Sequence, residues 1–127
     1  MPYGWAGRVL HVDLTRGKAV KLPLYPTDMK MYIGGRGLNA ITLYRNLKPN
    51  TDPLGPDNVL IFGIGPLTGA LSPLGSGRFN VTAKSPLTGC FGDSNCGGFW
   101  APELKYAGYD QIVIFGRAEK PVYLWID

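Results

Sequence analysis

The sequence that decides the fold is VLIFGIGPLTG, residues 59–69, taken together with RFNVTAKSPLTG, residues 78–89. Each segment begins with a run rich in apolar and β-branched residues, which is typical of a strand. Each then ends in Pro-Leu-Thr-Gly, in which proline fixes one backbone angle and glycine permits a reversal of the chain. The repeat predicts two strands, at residues 59–64 and 78–84, that leave a sheet through similar bends.

The sequence before this repeat predicts a hairpin followed by two short helices. Residues 7–14 and 19–25 alternate between apolar and polar positions on either side of a turn at residues 15–18, which favours a β-hairpin. Residues 26–28 can start a helix, and apolar residues recur at helical spacing between residues 38 and 47. The glycine-rich segment Gly34-Gly35-Arg36-Gly37 between them predicts an elbow that separates two helices, although the same glycines could form an anion-binding nest.

After the repeat, residues 101–107 predict a short helix with a proline in its first turn and Gly108 beyond its end. Residues 111–115 and 122–126 alternate and predict a second hairpin. Strands outnumber helices, and the regular strand–helix alternation of a doubly wound sheet is lacking. We therefore expect one α+β domain over residues 1–127, made of predominantly antiparallel β-sheets with a few short helices.

Composition excludes several functional classes. Lys and Arg outnumber Asp and Glu by 13 to 9, but the basic residues are dispersed, so a nucleic-acid partner is not expected. No apolar run approaches the roughly 18 residues of a membrane span, and the N-terminus lacks a signal-type apolar block. A cytoplasmic protein without membrane contact is expected, with Cys90 and Cys96 as free thiols.

Two glycine-rich loops carry the strongest functional signal. Residues 73–78 and 92–98 combine several glycines with polar side chains, and the first loop ends in Arg78. Glycines let backbone N–H groups approach a ligand, and arginine adds a fixed charge, so the pattern favours binding of an anion, especially a phosphate. The alternative is that these glycines only permit tight turns. Neither loop matches a Walker or dinucleotide-binding motif.

Several separated motifs follow in order along nearly the whole chain: YGWAGR at 3–8, IGGRGL at 33–38, DPLGP at 52–56, GPLTG at 65–69, KSPLTG at 84–89 and LKYAGYD at 104–110. Together they resemble the N-terminal domain of the aldehyde ferredoxin oxidoreductase family. The resemblance implies a base of antiparallel sheets for a tungsten or molybdenum atom held by two pterins, with a four-iron cluster beside it.

The resemblance also implies roles for three residues. Arg78 matches the family arginine between a pterin and the iron–sulfur cluster, and Gly97 matches a glycine at the pterin contact. Asn95 matches the asparagine whose backbone oxygen helps to coordinate a magnesium ion that bridges the two pterin phosphates. These roles agree with the chemistry of the groups, because magnesium prefers hard oxygen ligands and a guanidinium can donate to several acceptors.

By the same resemblance, the chain is the tungstopterin-binding portion of an enzyme that oxidises aldehydes to carboxylic acids and passes electrons to ferredoxin. The cluster ligands and substrate pocket of the family come from later sequence. We therefore expect a domain truncated at its C-terminal side, which works with the remainder of the enzyme or a large subunit and self-associates through its uncovered face. The alternatives are a non-catalytic assembly module and the small subunit of a split enzyme.

The remaining chemically interesting side chains have structural interpretations. We expect His11 to be a partly exposed strand residue, because no metal-spaced partner accompanies it. Trp5, Trp100 and Trp125 are interpreted as packing or interface residues. Cys90 and Cys96 fall on no cluster-ligand motif, so we interpret them as packing residues or bystander thiols. Asp93 is expected to cap a turn.

Overall fold

The computed structural model of the chain describes residues 4–70 and 77–127. Part of the first glycine-rich loop, residues 73–76, therefore lies outside the described residues, as does Tyr3. The described part contains six strands and three helices. In chain order they are β1 (Arg8–Asp13), β2 (Lys18–Pro23), α1 (Pro26–Tyr32), α2 (Gly35–Asn46), β3 (Leu60–Ile64), β4 (Phe79–Lys84), β5 (Phe91–Cys96), α3 (Trp100–Tyr106) and β6 (Gln111–Phe115).

The strands form one sheet in the order β2-β1-β6-β3-β4-β5. Only the β1–β6 pair is parallel, and the other four pairs in the described part are antiparallel. This arrangement confirms the predicted α+β class with mostly antiparallel strands. The first hairpin, both strands of the Pro-Leu-Thr-Gly repeat, the two helices around the glycine elbow and α3 are also confirmed.

Two sequence predictions are wrong. Residues 122–126 do not form a strand, because β6 already has β1 on one side and β3 on the other. This segment runs along α3 instead, where Leu124 and Trp125 line a groove with Leu104. The second glycine-rich loop, predicted at residues 92–98, is mostly strand β5. Its polar sequence hid the strand, because an edge strand that is mostly exposed needs no apolar face.

Both faces of the sheet are covered by apolar clusters. On the face of α1 and α2, Leu38 and Leu43 pack with Val9, Ile61 and Val113. On the face of α3, the cluster is Leu10, Val12, Ile64, Ala101, Leu104, Tyr109 and Ile112. The neighbours Ile112 and Val113 of β6 point to opposite faces, as the period of two requires. Full burial of such a side chain contributes about 1.5–3 kcal/mol. No helix in the described ranges is long and apolar enough to cross a lipid bilayer.

The LKYAGYD motif holds the N-terminal segment against the sheet. The Asp110 carboxylate is fully buried and accepts hydrogen bonds from the backbone N–H groups of Ala6 (3.1 Å) and Gly7 (2.6 Å). Lys105 Nζ lies 2.5 Å from the same carboxylate and also donates to the backbone oxygen of Gly4. Because the buried charge is paired and hydrogen-bonded, its desolvation is compensated. The motif thereby fixes the start of β1 beside β6.

Helix α2 is locked onto the sheet by the Asn39 side chain, which is 0% exposed. Its Nδ2 group donates to the Asn80 backbone oxygen (3.1 Å) and to Thr82 Oγ1 (3.2 Å) of β4. Its Oδ1 atom accepts a hydrogen bond from Gln111 Nε2 of β6 (2.9 Å). Between these strands, the amide lies over Gly63 of β3, where an added Cβ would overlap the Asn39 side chain. Glycine is required at this position because the amide occupies the space of a side chain.

We predict that Gly63→Ala lowers the free energy of unfolding by about 3 kcal/mol, because the methyl group displaces a buried amide and its hydrogen bonds. Urea unfolding measures the change. Gly65→Ala is the matched control, since the nearest atom to a Cβ at Gly65 is Thr68 Oγ1 at 4.0 Å. The control should change stability by less than about 0.5 kcal/mol. Equal stabilities of the two variants would contradict the proposed packing.

Candidate functional site

The three predicted site residues lie together where β4 begins and β5 ends. The antiparallel register places Asn80 opposite Asn95, which brings Asn95 close to Arg78. Arg78 Nη1 donates a hydrogen bond to Asn95 Oδ1 at 2.9 Å. A Cβ at Gly97 would lie 3.5 Å from Arg78 Nε. The residues predicted from two separate glycine-rich segments therefore share one exposed surface.

Close backbone approach defines the end of this strand pair. A Cβ at Gly77 would lie 2.8 Å from the backbone oxygen of Gly98, which is nearer than real side chains permit. The two backbone segments can meet only because residue 77 carries no Cβ. The described ends of the two glycine-rich segments thus converge, and the surface beside Arg78 is free of bulky side chains from residues 77, 97 and 98.

Asp93 does not cap a turn as the sequence suggested, because residue 93 lies within strand β5. Its carboxylate accepts a hydrogen bond from Arg36 Nε at 2.7 Å. It also accepts hydrogen bonds from Asn80 Nδ2 (3.1 Å) and Thr82 Oγ1 (3.3 Å). Asn80 Oδ1 in turn accepts a hydrogen bond from Asn95 Nδ2 at 3.4 Å. One polar network therefore connects the first turn of α2, two strands and the Arg78 surface.

Sequence reasoning missed the residues that build this network, namely Asn39, Asn80 and Thr82. A usable signal was present in β4, where Asn80 and Thr82 alternate with Phe79, Val81 and Ala83. When a helix covers the polar face of a strand, the polar side chains on that face are buried. They must then form hydrogen bonds with other protein groups. The alternation could have predicted a buried polar network on the helix side of the sheet.

The outer edge of β5 presents backbone groups that pair with nothing in the part of the chain that the structure describes. The Lys84 backbone N–H and C=O both bond the side chain of Asn58, which lies on the β3 side of β4. Because backbone direction alternates along a strand, Thr82 and Asn80 also direct their backbone groups towards β3. Asn95, which lies opposite Asn80, must then direct its N–H and C=O groups away from β4. No described residue donates to the Asn95 backbone oxygen.

A cavity of about 360 Å³ adjoins this surface on the side of the glycine elbow. Its lining includes Gly34 and Arg36 at the start of α2, Gly65 after β3, and Arg78 and Asn80 of the strand pair. Two arginines therefore line one concavity. Such a surface can bind an anion through charge and through planar hydrogen-bond donors.

The other side chains considered from the sequence lie outside this surface or play structural roles. Trp5 packs against the first apolar cluster, and Trp100 packs against Phe79 at 4.5 Å between ring centroids, so the packing interpretation is confirmed for both. Trp125 is largely exposed, and its role at an interface stays a prediction. Cys90 and Cys96 are free and exposed, which leaves the bystander interpretation and excludes packing.

Metal coordination by clustered side chains is not found in the described part of the chain. Across residues 4–70 and 77–127, no three His, Cys, Asp or Glu side chains lie close enough to hold a metal ion. His11, which lies half-buried in β1, faces the Phe115 ring at 5.4 Å between centroids. The expectation of a partly exposed strand histidine is confirmed. Burial lowers the pKa of His11 from its ordinary value of 6.5.

We predict that this burial makes stability depend on pH. The unfolded chain takes up a proton at His11 before the folded chain does, since the folded-state pKa is the lower one. The His11 contribution to the free energy of unfolding is therefore retained above pH 6.5 and decreases as the pH falls through the folded-state pKa. Urea unfolding between pH 5 and 8 measures the slope. His11→Gln should reduce it, and an unchanged slope would contradict the assignment to His11.

Comparison with known proteins gives one family. A sequence profile described as "Aldehyde ferredoxin oxidoreductase, N-terminal domain" matches residues 9–127. A tungsten-containing aldehyde ferredoxin oxidoreductase of Pyrococcus furiosus is 48% identical over 125 residues, which cover 98% of this chain and 20% of that protein. The protein of the same name from Thermococcus kodakarensis gives the same identity and coverage.

Two further relatives carry other names. The aliphatic sulfonate oxidoreductase, WOR-like subunit, of Pyrococcus furiosus is 39% identical over 127 residues, again covering 98% of this chain and 20% of that protein. A solved structure, the active site complex BamBC of benzoyl coenzyme A reductase with 1,5-dienoyl-CoA, superposes with a TM-score of 0.95 at 44% identity. The match covers 99% of this chain and 19% of that one. The chain thus spans about a fifth of the length of these relatives.

Proposed function

Because the chain belongs to the aldehyde ferredoxin oxidoreductase family through its N-terminal domain, we propose that it forms the base on which a tungsten or molybdenum bis-pterin cofactor rests. The complete protein would oxidise aldehydes to carboxylic acids and pass electrons through a four-iron cluster to ferredoxin. The observation that carries the proposal is the convergence of Arg78, Asn95 and Gly97 on one exposed surface.

Asn95 would contribute the magnesium ligand through its backbone oxygen. Magnesium takes oxygen ligands in a strict octahedral geometry and keeps only a few protein ligands beside phosphates and waters. An outward carbonyl on an edge strand suits this role, because its lone pairs are not used by the sheet. The Asn95 side chain bonds Arg78 and the backbone oxygen of Phe79 (3.3 Å), which fixes the orientation of the residue and therefore of its carbonyl.

Arg78 would contact both the pterin and the cluster. One of its Nη groups is held by Asn95, and a guanidinium has five donors in a fixed plane. Donors therefore remain for acceptors on the pterin ring and for a cluster sulfur. No acidic side chain in the described part of the chain forms an ion pair with Arg78, so its charge is available to a ligand.

The glycines beside Arg78 would let the flat pterin approach the backbone. A Cβ at Gly97 would have Arg78 side-chain atoms as its nearest neighbours, and Gly77 is required by the close passage of Gly98. A planar ligand can therefore reach backbone N–H and C=O groups that side chains would otherwise screen. When bound, the cofactor supplies the oxygen and electron transfer, while this chain binds and orients it.

The iron–sulfur cluster would be ligated by the remainder of the enzyme or by a large subunit, in a cytoplasmic complex. Self-association of the chain stays a prediction; Leu67, Leu87 and Phe99 are large apolar side chains that the fold leaves exposed. Sedimentation that shows only monomer at high concentration would contradict it.

A second candidate function is reduction of an aromatic acyl-coenzyme A by a multi-subunit complex. The observation that favours it is the solved benzoyl coenzyme A reductase complex, which is 44% identical to this chain with a TM-score of 0.95. The two candidates differ in substrate. Assays of the complete protein with aldehydes and with benzoyl-CoA separate them. A complete protein that binds no cofactor would favour the non-catalytic assembly module instead.

We predict that Arg78→Ala in the complete protein, produced anaerobically with tungstate, lowers the bound tungsten about tenfold, because outer contacts of a metal site typically contribute that much affinity. The free energy of unfolding of the cofactor-free protein should change by less than about 0.5 kcal/mol, since the side chain is exposed. Elemental analysis and urea unfolding give the two quantities. Arg16→Ala is the control, because Arg16 is exposed and distant in the β1–β2 turn. Normal tungsten content in the Arg78 variant would contradict the proposal.

A further inference from the structure

The Arg36 guanidinium is bonded through its Nε group, whereas its two Nη groups have no described partner. It lies in the first turn of α2, and its side chain is 67% exposed. Its Nε group donates to Asp93 Oδ2 at 2.7 Å. Within the described part of the chain, neither of its Nη groups has a hydrogen-bond partner. The four N–H donors of the two Nη groups therefore remain for a ligand.

The acceptor that holds Arg36 is itself anchored. The Asp93 side chain is only 12% exposed, and its oxygens also receive hydrogen bonds from Asn80 and Thr82 of the neighbouring strand. An ordinary surface ion pair must order two mobile side chains, which removes most of its benefit. Here one partner is already ordered by the sheet, so the direction of the Arg36 guanidinium is restricted.

Arg36 also shares its cavity with Arg78. Both line the space of about 360 Å³ next to Gly34 and Gly65. The Asp93 carboxylate balances one of the two positive charges, which leaves a net positive charge that favours an anion. The planar donors of guanidinium groups match the oxygens of a phosphoryl group. The chemistry of the cavity therefore fits a phosphorylated ligand better than a neutral one.

We propose that Arg36 is a phosphoryl-binding arginine on the surface that carries Arg78 and that Asp93 is its positioning residue. The identity of the ligand, a pterin phosphate, rests on the function proposed above. The binding of a phosphoryl group by Arg36 does not rest on that function, because it is inferred from the Arg36–Asp93 contact and the cavity shared with Arg78. The glycine elbow before α2 then has a functional consequence, since it brings Arg36 to the surface that carries Arg78.

The test is calorimetric titration of the complete, cofactor-free polypeptide with inorganic pyrophosphate. Arg36→Ala should weaken binding about tenfold, as expected for loss of charge-assisted hydrogen bonds. Arg36→Lys should recover only part of the affinity, because an ammonium lacks the planar pair of donors. Unfolding midpoints measured in parallel should stay near that of the parent, so that weaker binding is not a result of unfolding.

Asp93→Asn separates positioning from simple charge. Removal of a negative charge near an anion would by itself tighten pyrophosphate binding. If Asp93 positions Arg36, the variant should bind about threefold more weakly despite this charge effect. Tighter binding of Asp93→Asn would overturn the positioning role.

Arg78→Ala and Arg16→Ala complete the design. Weaker binding in both Arg36→Ala and Arg78→Ala, with Arg16→Ala unchanged, supports the inference and the proposed function together. An effect of Arg78→Ala alone overturns the inference and leaves the proposed function intact. An effect of Arg36→Ala alone supports the inference, and the tungsten content of Arg78→Ala then tests the proposed function separately. If neither Arg36→Ala nor Arg78→Ala changes the affinity for pyrophosphate, phosphoryl binding at this surface is overturned.

Discussion

The position of helix α2 on the sheet depends on one buried amide. Asn39 donates to β4 and accepts from Gln111 of β6, and it can do so only because Gly63 leaves room for it. A buried amide must satisfy its donors and acceptor together, so this contact has a unique geometry, unlike the apolar contacts around it. The amide therefore sets both the rotation and the height of α2, and with them the place at which Arg36 meets Asp93.

The candidate site consists of side chains on one face of the sheet and of backbone groups at the edge of the sheet. On the helix face, side chains of α2, β4 and β5 form a polar network that ends in the exposed guanidinium groups of Arg36 and Arg78. At the edge, the alternation of hydrogen bonding turns the Asn95 carbonyl away from β4, and no residue in the described ranges donates to it. Edge strands are usually protected against pairing with other chains. A ligand that uses the edge carbonyl would protect β5 while contributing to function.

The sequence was sufficient for most elements and for the expectation that two glycine-rich segments converge near Arg78 and Asn95. The Pro-Leu-Thr-Gly repeat located β3 and β4, and ordered motifs led to Arg78, Asn95 and Gly97. The sequence was insufficient where contacts with residues distant in the chain decide the structure. The alternating residues 122–126 are excluded from the sheet because β6 has no free side. Asp93 could not be interpreted locally, because its partners Arg36 and Asn80 are 57 and 13 positions away in the chain.

The central claim is that a phosphorylated, magnesium-bridged cofactor rests against the open edge of β5. A crystal structure of the complete protein loaded with tungsten tests it most directly. The account predicts a magnesium ion about 2.1 Å from the Asn95 backbone oxygen, with Arg78 and Arg36 facing the cofactor. A structure in which another strand pairs with β5, or in which the cofactor binds on a different surface of this domain, would contradict it.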